Sequence, residues 1–163
     1  MLIGTLGPYL VKAPDNPEGV DPRVFEQIRA AIRADRPAAM MQFWDNFYSV
    51  GGEDGKRVSE RVIAANWAVA VGASPIGTLA CVDAWLEDFR GDIPRNDIPT
   101  MIIHGDDDRI LPADATSRRQ ARMIKNVKFM EIKGASHGLF WTRAEEINAQ
   151  LVPFLASSAR PQV

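Results

Sequence analysis

The stretch Ile102-Ile103-His104-Gly105-Asp106-Asp107-Asp108-Arg109-Ile110-Leu111-Pro112, followed downstream by Gly134-Ala135-Ser136-His137-Gly138, decides the fold. Thr100 to His104 is a short continuous apolar run of the kind buried on both faces of a parallel sheet, and it ends in a loop rich in carboxylates. Val127 to Ile132 reads as a second strand, ending in a glycine-flanked loop that presents a histidine. Between them Pro112 to Ile124 is amphipathic, and Thr142 to Leu155 is a closing helix with Ile147, Leu151, Phe154 and Leu155 inward. This βαβα order predicts parallel neighbouring strands joined right-handedly. In such sheets functional loops gather at the carboxyl ends of the strands, where Asp106 to Asp108 and His137 lie.

Working outward, the chain changes character near residue 95, and before that point its apolar residues fall at helical spacing. Asp21-Pro22 is a helix start, and Val24, Phe25, Ile28 and Ile32 form one stripe until Asp35-Arg36-Pro37 interrupts it. A second helix carries Met40, Met41, Phe43, Trp44, Phe47 and Tyr48. Gly51 to Gly55 is a loop, and Ser59 caps a third helix holding Val62, Ile63, Trp67 and Val71. Thr78 to Phe89 is predicted as a fourth, after breaks at Ser74-Pro75 and Gly77. No internal repeat stands out.

Composition limits the partners. The 163 residues are 46% hydrophobic and 25% charged, the make-up of one ordinary globular domain. Nineteen Lys and Arg against 21 Asp and Glu, with no run of either sign, argue against nucleic acid. No stretch is long enough to cross a bilayer, and the start at Met1 carries no basic leader, so no membrane partner and a cytoplasmic location are expected. Cys81 is the single cysteine and is expected to be a small buried hydrophobe.

A histidine acting as general base needs a partner that fixes its tautomer and stabilises the imidazolium it becomes, and a buried carboxylate does both. The chain has two histidines. His137, between Gly134 and Gly138, sits in a loop able to point its ring outward, whereas His104 ends an apolar strand and reads as a structural histidine. Asp106 and Asp107 read as a solvated acidic loop. A metal site is a weaker reading, because adjacent carboxylates diverge and no second histidine lies at ligand spacing. Asp108 differs, being followed by Arg109-Ile110-Leu111-Pro112.

Ile102 to Pro112 with Gly134 to Leu139 resembles the acid and histidine motifs of the α/β-hydrolase superfamily. Leu10-Val11-Lys12, Asp15-Asn16-Pro17-Glu18-Gly19, Asp88-Phe89-Arg90, Asp92-Ile93-Pro94 and Gly138-Leu139 with Thr142 and Glu145-Glu146 extend the likeness to the cofactor-free bacterial haloperoxidases, which are also esterases and perhydrolases. The resemblance implies an α/β fold, the carboxyl-terminal part of an α/β hydrolase, with a helical cap followed by parallel strands flanked by helices. Residues 1–9 would be the end of a core strand and the entry to the cap, 10–92 the cap, 93–156 the core and 157–163 a tail. Asp108 matches the triad acid and His137 the triad base. Phe43, Trp44, Phe47 and Tyr48, together with Trp67 and Trp85, are candidate lining of an apolar acyl pocket, with plain core packing as their alternative. No metal, haem or other cofactor is implied. The substrate class is a small acyl ester, or a carboxylic acid with peroxide.

In that superfamily the nucleophile precedes the cap on a G-x-S-x-G elbow. Ala68 to Gly77 imitates one around Ser74, but its second glycine is one place late and Pro75 has no N–H to donate to an oxyanion. Ser136 would have to turn back onto its neighbour. The expectation is therefore that the nucleophile is absent and the isolated chain inactive. The alternative is a non-catalytic binding or interaction module, or half of a split enzyme. Self-association or a complementary amino-terminal part would then cover Met1 to Gly4 and Thr100 to His104 at an exposed sheet edge.

Overall fold

The computed structural model describes residues 1–158, so most of the tail expected at 157–163 lies outside the described residues. Its centre is a three-stranded parallel sheet in the order β1 (Leu2–Ile3), β2 (Thr100–Gly105), β3 (Val127–Ile132). Leu2 pairs with Ile102, and β2 runs beside β3 from Thr100↔Val127 to Gly105↔Ile132. Every residue of β2 is buried, as a strand with neighbours on both edges and layers on both faces requires. The uncovered edge expected at Thr100 to His104 is thus corrected, since β2 is the middle strand.

Alternation along β2 sends its side chains into two separate cores. Met101 and Ile103 pack with Ile132, Ala135, Leu139 and Ile147, on the side of helix α7 (Ala144–Ser158). Ile102 packs with Ile93 and Ile124 beside the crossover helix α5 (Ser117–Met123). The closing helix differs from expectation: a short α6 (Leu139–Thr142) precedes α7, with non-helical Arg143 between them. Leu155, expected inward, is exposed. The helix also continues through Ser157 and Ser158, where a tail was expected.

Four helices fill residues 22–84. Asp21 caps α1 (Pro22–Ala34) through the Arg23 N–H. Asp35 ends α1 and at once caps α2 (Arg36–Phe47) through the Ala38 N–H, so the interruption is one residue wide. Ser59 caps α3 (Glu60–Val71). Ser74 caps α4 (Pro75–Ala84), which begins and ends earlier than predicted: Pro75 sits in the first turn, where its missing N–H costs nothing. Cys81 faces solvent on α4, and Val82 holds the buried position beside it. Leu10, Phe25, Ile32 and Val82 form a core with Leu111 and Ala115, joining these helices to the loop after β2. Among the described residues no single helix is long and apolar enough to cross a membrane.

Ile103 tests the two-sided sheet. Ile103→Ala is expected to lower the unfolding free energy by about 2–5 kcal/mol, read from the urea midpoint. A loss under about 1 kcal/mol would show that α7 does not seal that face.

Candidate active site

The loop after β2 turns Asp108 back under its own backbone. Oδ1 of Asp108 accepts from the Ile110 N–H at 2.9 Å and the Leu111 N–H at 2.8 Å. Oδ2 lies 2.7 Å from His137 Nδ1 and 3.1 Å from His104 Nε2. The side chain of Asp108 is wholly buried, and a buried carboxylate is tolerable only when so surrounded by donors. Burial pushes its carboxyl up, but the hydrogen bonds from His104, His137 and the Leu111 N–H outweigh it and hold the group at about 2. Asp108 is therefore an anion at neutral pH.

The partners assign both tautomers. His104 Nε2 is 2.8 Å from the Leu111 carbonyl as well as beside Asp108. Both are acceptors, so Nε2 carries the proton. Its Nδ1 is buried without a hydrogen bond. His137 Nδ1 likewise donates to Asp108, which leaves the Nε2 lone pair free to take a proton.

Three neighbours hold the His137 ring. Asp108 fixes Nδ1, the Phe47 ring meets the imidazole edge-to-face at 4.9 Å, and Gly4 lies against the remaining side. A Cβ on Gly4 would stand 2.9 Å from His137 Cε1, and Gly4 has φ of +56°, so space and backbone both demand glycine there. Beneath, a Cβ on Gly105 would meet the Ala135 carbonyl oxygen at 2.1 Å. The His-Gly dipeptide at the end of β2 is thus what lets the histidine loop settle onto the sheet.

The other candidates separate. Asp106 is exposed and accepts from the Gly134 N–H, and Asp107 pairs at 3.6 Å with Arg109. No group of three metal-binding side chains occurs among the described residues. Of Phe43, Trp44, Phe47 and Tyr48, which form one aromatic cluster, only Phe47 touches His137. Tyr48 is a core residue, 1% exposed, whose hydroxyl accepts from Asn66. Trp67 donates to the Pro37 carbonyl, and Trp85 packs in the separate core around Leu10 and Phe25. Phe140, which sequence reading passed over, sits 6.0 Å from Phe47 and is half exposed. Two open clefts of about 350 and 380 Å³ lie elsewhere, and neither includes Asp108 or His137.

The serines are also placed. Ser74 is an exposed helix cap bound to the Gly77 N–H. Ser59 is likewise a cap, Ser49 donates to the Asp107 carbonyl, Ser136 to Asp54 and Ser157 to the Phe154 carbonyl. None of these is hydrogen-bonded to His137. Asp54, within the glycine-rich stretch read as a plain loop, is fully buried beside the histidine loop. No spacing rule points to it.

Comparison with known proteins identifies the fold family. The model of the alpha/beta hydrolase fold family matches residues 5–144. A putative non-heme chloroperoxidase of Synechocystis sp. is 48% identical over 155 residues, which cover 95% of this chain and 56% of that protein. A non-heme chloroperoxidase from Kitasatospora aureofaciens is 33% identical, over 95% of this chain and 57% of its own length. The crystal structure of a bromoperoxidase from Bacillus anthracis superposes with a TM-score of 0.89 at 40% identity, over 94% of this chain and 56% of that one. The chain therefore spans a little over half the length of the relatives it matches.

Because folding holds the Asp108 carboxyl below its ordinary value of 3.8, the stabilisation it contributes is complete above that value and lost as pH falls toward about 2. Thermal unfolding across this window should show a loss roughly 2 kcal/mol greater in the unaltered protein than in Asp108→Asn, in which the other carboxylates still titrate. Equal acid sensitivity in both proteins would contradict the assignment.

Proposed function

The chain belongs to the α/β-hydrolase fold family, and from that premise we propose that it supplies the acid and the base of a serine-type acyl-transfer site acting on small acyl esters. The 2.7 Å contact between Asp108 and His137, at the carboxyl ends of adjacent parallel strands, carries the reading. The proposed nucleophile is a serine outside these 163 residues, borne by a complementary amino-terminal part. The separate engagements of Ser49, Ser59, Ser74, Ser136 and Ser157, and the complete burial of Ser117 at the start of α5, support that assignment.

In the proposed cycle His137 Nε2 takes the serine proton as the hydroxyl oxygen bonds to the acyl carbon, then passes it to the departing alkoxide. Asp108 holds the imidazolium that forms between these steps and stays ionised. Water, deprotonated by the same nitrogen, then attacks the acyl-enzyme and releases the acid. Hydrogen peroxide in place of water yields a peracid, whose O–O bond breaks as its terminal OH passes to halide, giving hypohalous acid and the carboxylate. Phe47 and Phe140 give the acyl group an apolar wall beside the histidine. The similarity to the Synechocystis and Kitasatospora chloroperoxidases supports this oxidative branch.

Hydrolysis of a short-chain aryl ester by the purified chain provides the test. No turnover above background is expected, alone or as Ser74→Ala, and Ser74→Ala should cost about 1 kcal/mol of stability as a lost cap. Joined to an amino-terminal part with a serine elbow, the chain should gain esterase activity that His137→Ala abolishes. Robust turnover by the chain alone, lost in Ser74→Ala, would overturn the assignment of the nucleophile.

A further inference from the structure

We infer that Asp54 is a positioning residue for His137, and that residues 47–57 form a strap holding the acid and base loops in register. Asp54 opens a short 3₁₀ turn at Asp54–Arg57 and is 0% exposed. Its four hydrogen-bond donors all come from the segment that carries the histidine. Oδ2 accepts from the Ser136 N–H at 2.9 Å, the Ser136 hydroxyl at 2.7 Å and the Thr142 hydroxyl at 2.5 Å, and Oδ1 accepts from Arg143 Nε at 2.7 Å. Ser136 immediately precedes His137, and Arg143 is the non-helical residue between α6 and α7. The carboxylate therefore grips the histidine loop on both sides of the imidazole.

The same strap reaches the acid loop. Ser49 donates its hydroxyl to the Asp107 carbonyl at 3.0 Å, and Arg109 approaches the Val50 carbonyl at 3.3 Å. The Gly138 N–H donates to the Phe47 carbonyl at 2.8 Å, and the Phe47 ring is the one against His137. One short segment thus binds both residues that flank Asp108, Asp107 through its carbonyl and Arg109 through its side chain, and the backbone on either side of His137. Ser49, with φ of +49°, takes a left-handed conformation in the middle of it, a strain retained where surrounding bonds fix the chain. Arg143 neutralises the Asp54 charge and is itself paired with Glu146, so the node is a satisfied buried network whose geometry is specified more sharply than an apolar contact would be.

The inference rests on the reading of Asp108 and His137 as acid and base. Its test reads their geometry instead of turnover, so failure of the strap and failure of the proposed activity remain distinguishable. The proton between His137 Nδ1 and Asp108 should give a low-field NMR resonance in the chain, identified by its loss in His137→Gln. In Asp54→Asn the amide N–H₂ faces hydroxyl and N–H donors and the charge opposite Arg143 is gone. That resonance should move upfield or vanish, and the Ser136 amide should exchange about tenfold faster or more. Ile147→Val, destabilised in the core behind α7, is the control and should keep the resonance. Thr142→Val, which removes a single donor to Asp54, should give a smaller change in the same direction, and it stands in if Asp54→Asn does not fold. An unchanged low-field proton in folded Asp54→Asn, or in Thr142→Val where that variant stands in, would overturn the inference. So would equal loss in Ile147→Val.

Discussion

A single buried anion, the Asp108 carboxylate, imposes most of the local geometry. A charge in that position is stable only while its oxygens are met by donors, because removing any of them leaves an ion without water or compensation. Two donors are backbone N–H groups of the next turn, at Ile110 and Leu111, and two are histidines. Closing the backbone over the carboxylate also drives the Leu111 side chain into the core with Leu10, Phe25 and Val82. The acid loop and the helical layer above it are therefore one packing unit, and the electrostatic requirement and the apolar one select the same conformation.

His137 is held by contacts of a different kind from Asp108. Its ring has one charged partner, one aromatic edge and one glycine against it, an arrangement that leaves Nε2 without a hydrogen bond among the described residues. Every partner fixes the ring's orientation and none occupies that nitrogen, as the proposed role of general base requires. The segment around Asp54 extends the arrangement outward by tying the loops that bear Asp108 and His137 to one short stretch between α2 and α3. Positioning in this site is thus contributed as much by the helical layer as by the sheet.

Where sequence reading departed from the structure, a local signal had been given the wrong weight. Pro75 was treated as a break, although proline in a first turn is compatible with the helix that Ser74 caps. Leu155 and Cys81 were placed inward by type and period, but exposure is decided by which neighbour an element meets, and these face solvent. The single closing helix became two because Arg143 leaves the helix path where its side chain binds Asp54. Thr100 to His104 was assigned an open edge, whereas β1 and β3 flank it.

The sequence by itself determined the order of the elements, the parallel pairing of β2 with β3 and the choice of Asp108 and His137 as the pair to examine. The first two depend on periodicity and capping residues, which are local properties that survive without coordinates, and the third on the resemblance of two short motifs to the α/β-hydrolase superfamily. Only the tertiary structure decided that His104 shares the Asp108 oxygen, that Phe47 alone among the four aromatic candidates meets the imidazole, and that Asp54 grips the histidine loop. These contacts join residues separated by up to 90 positions, as between Phe47 and His137. No spacing rule encodes such a distance, because it is set by how helices and sheet pack once their apolar faces are buried.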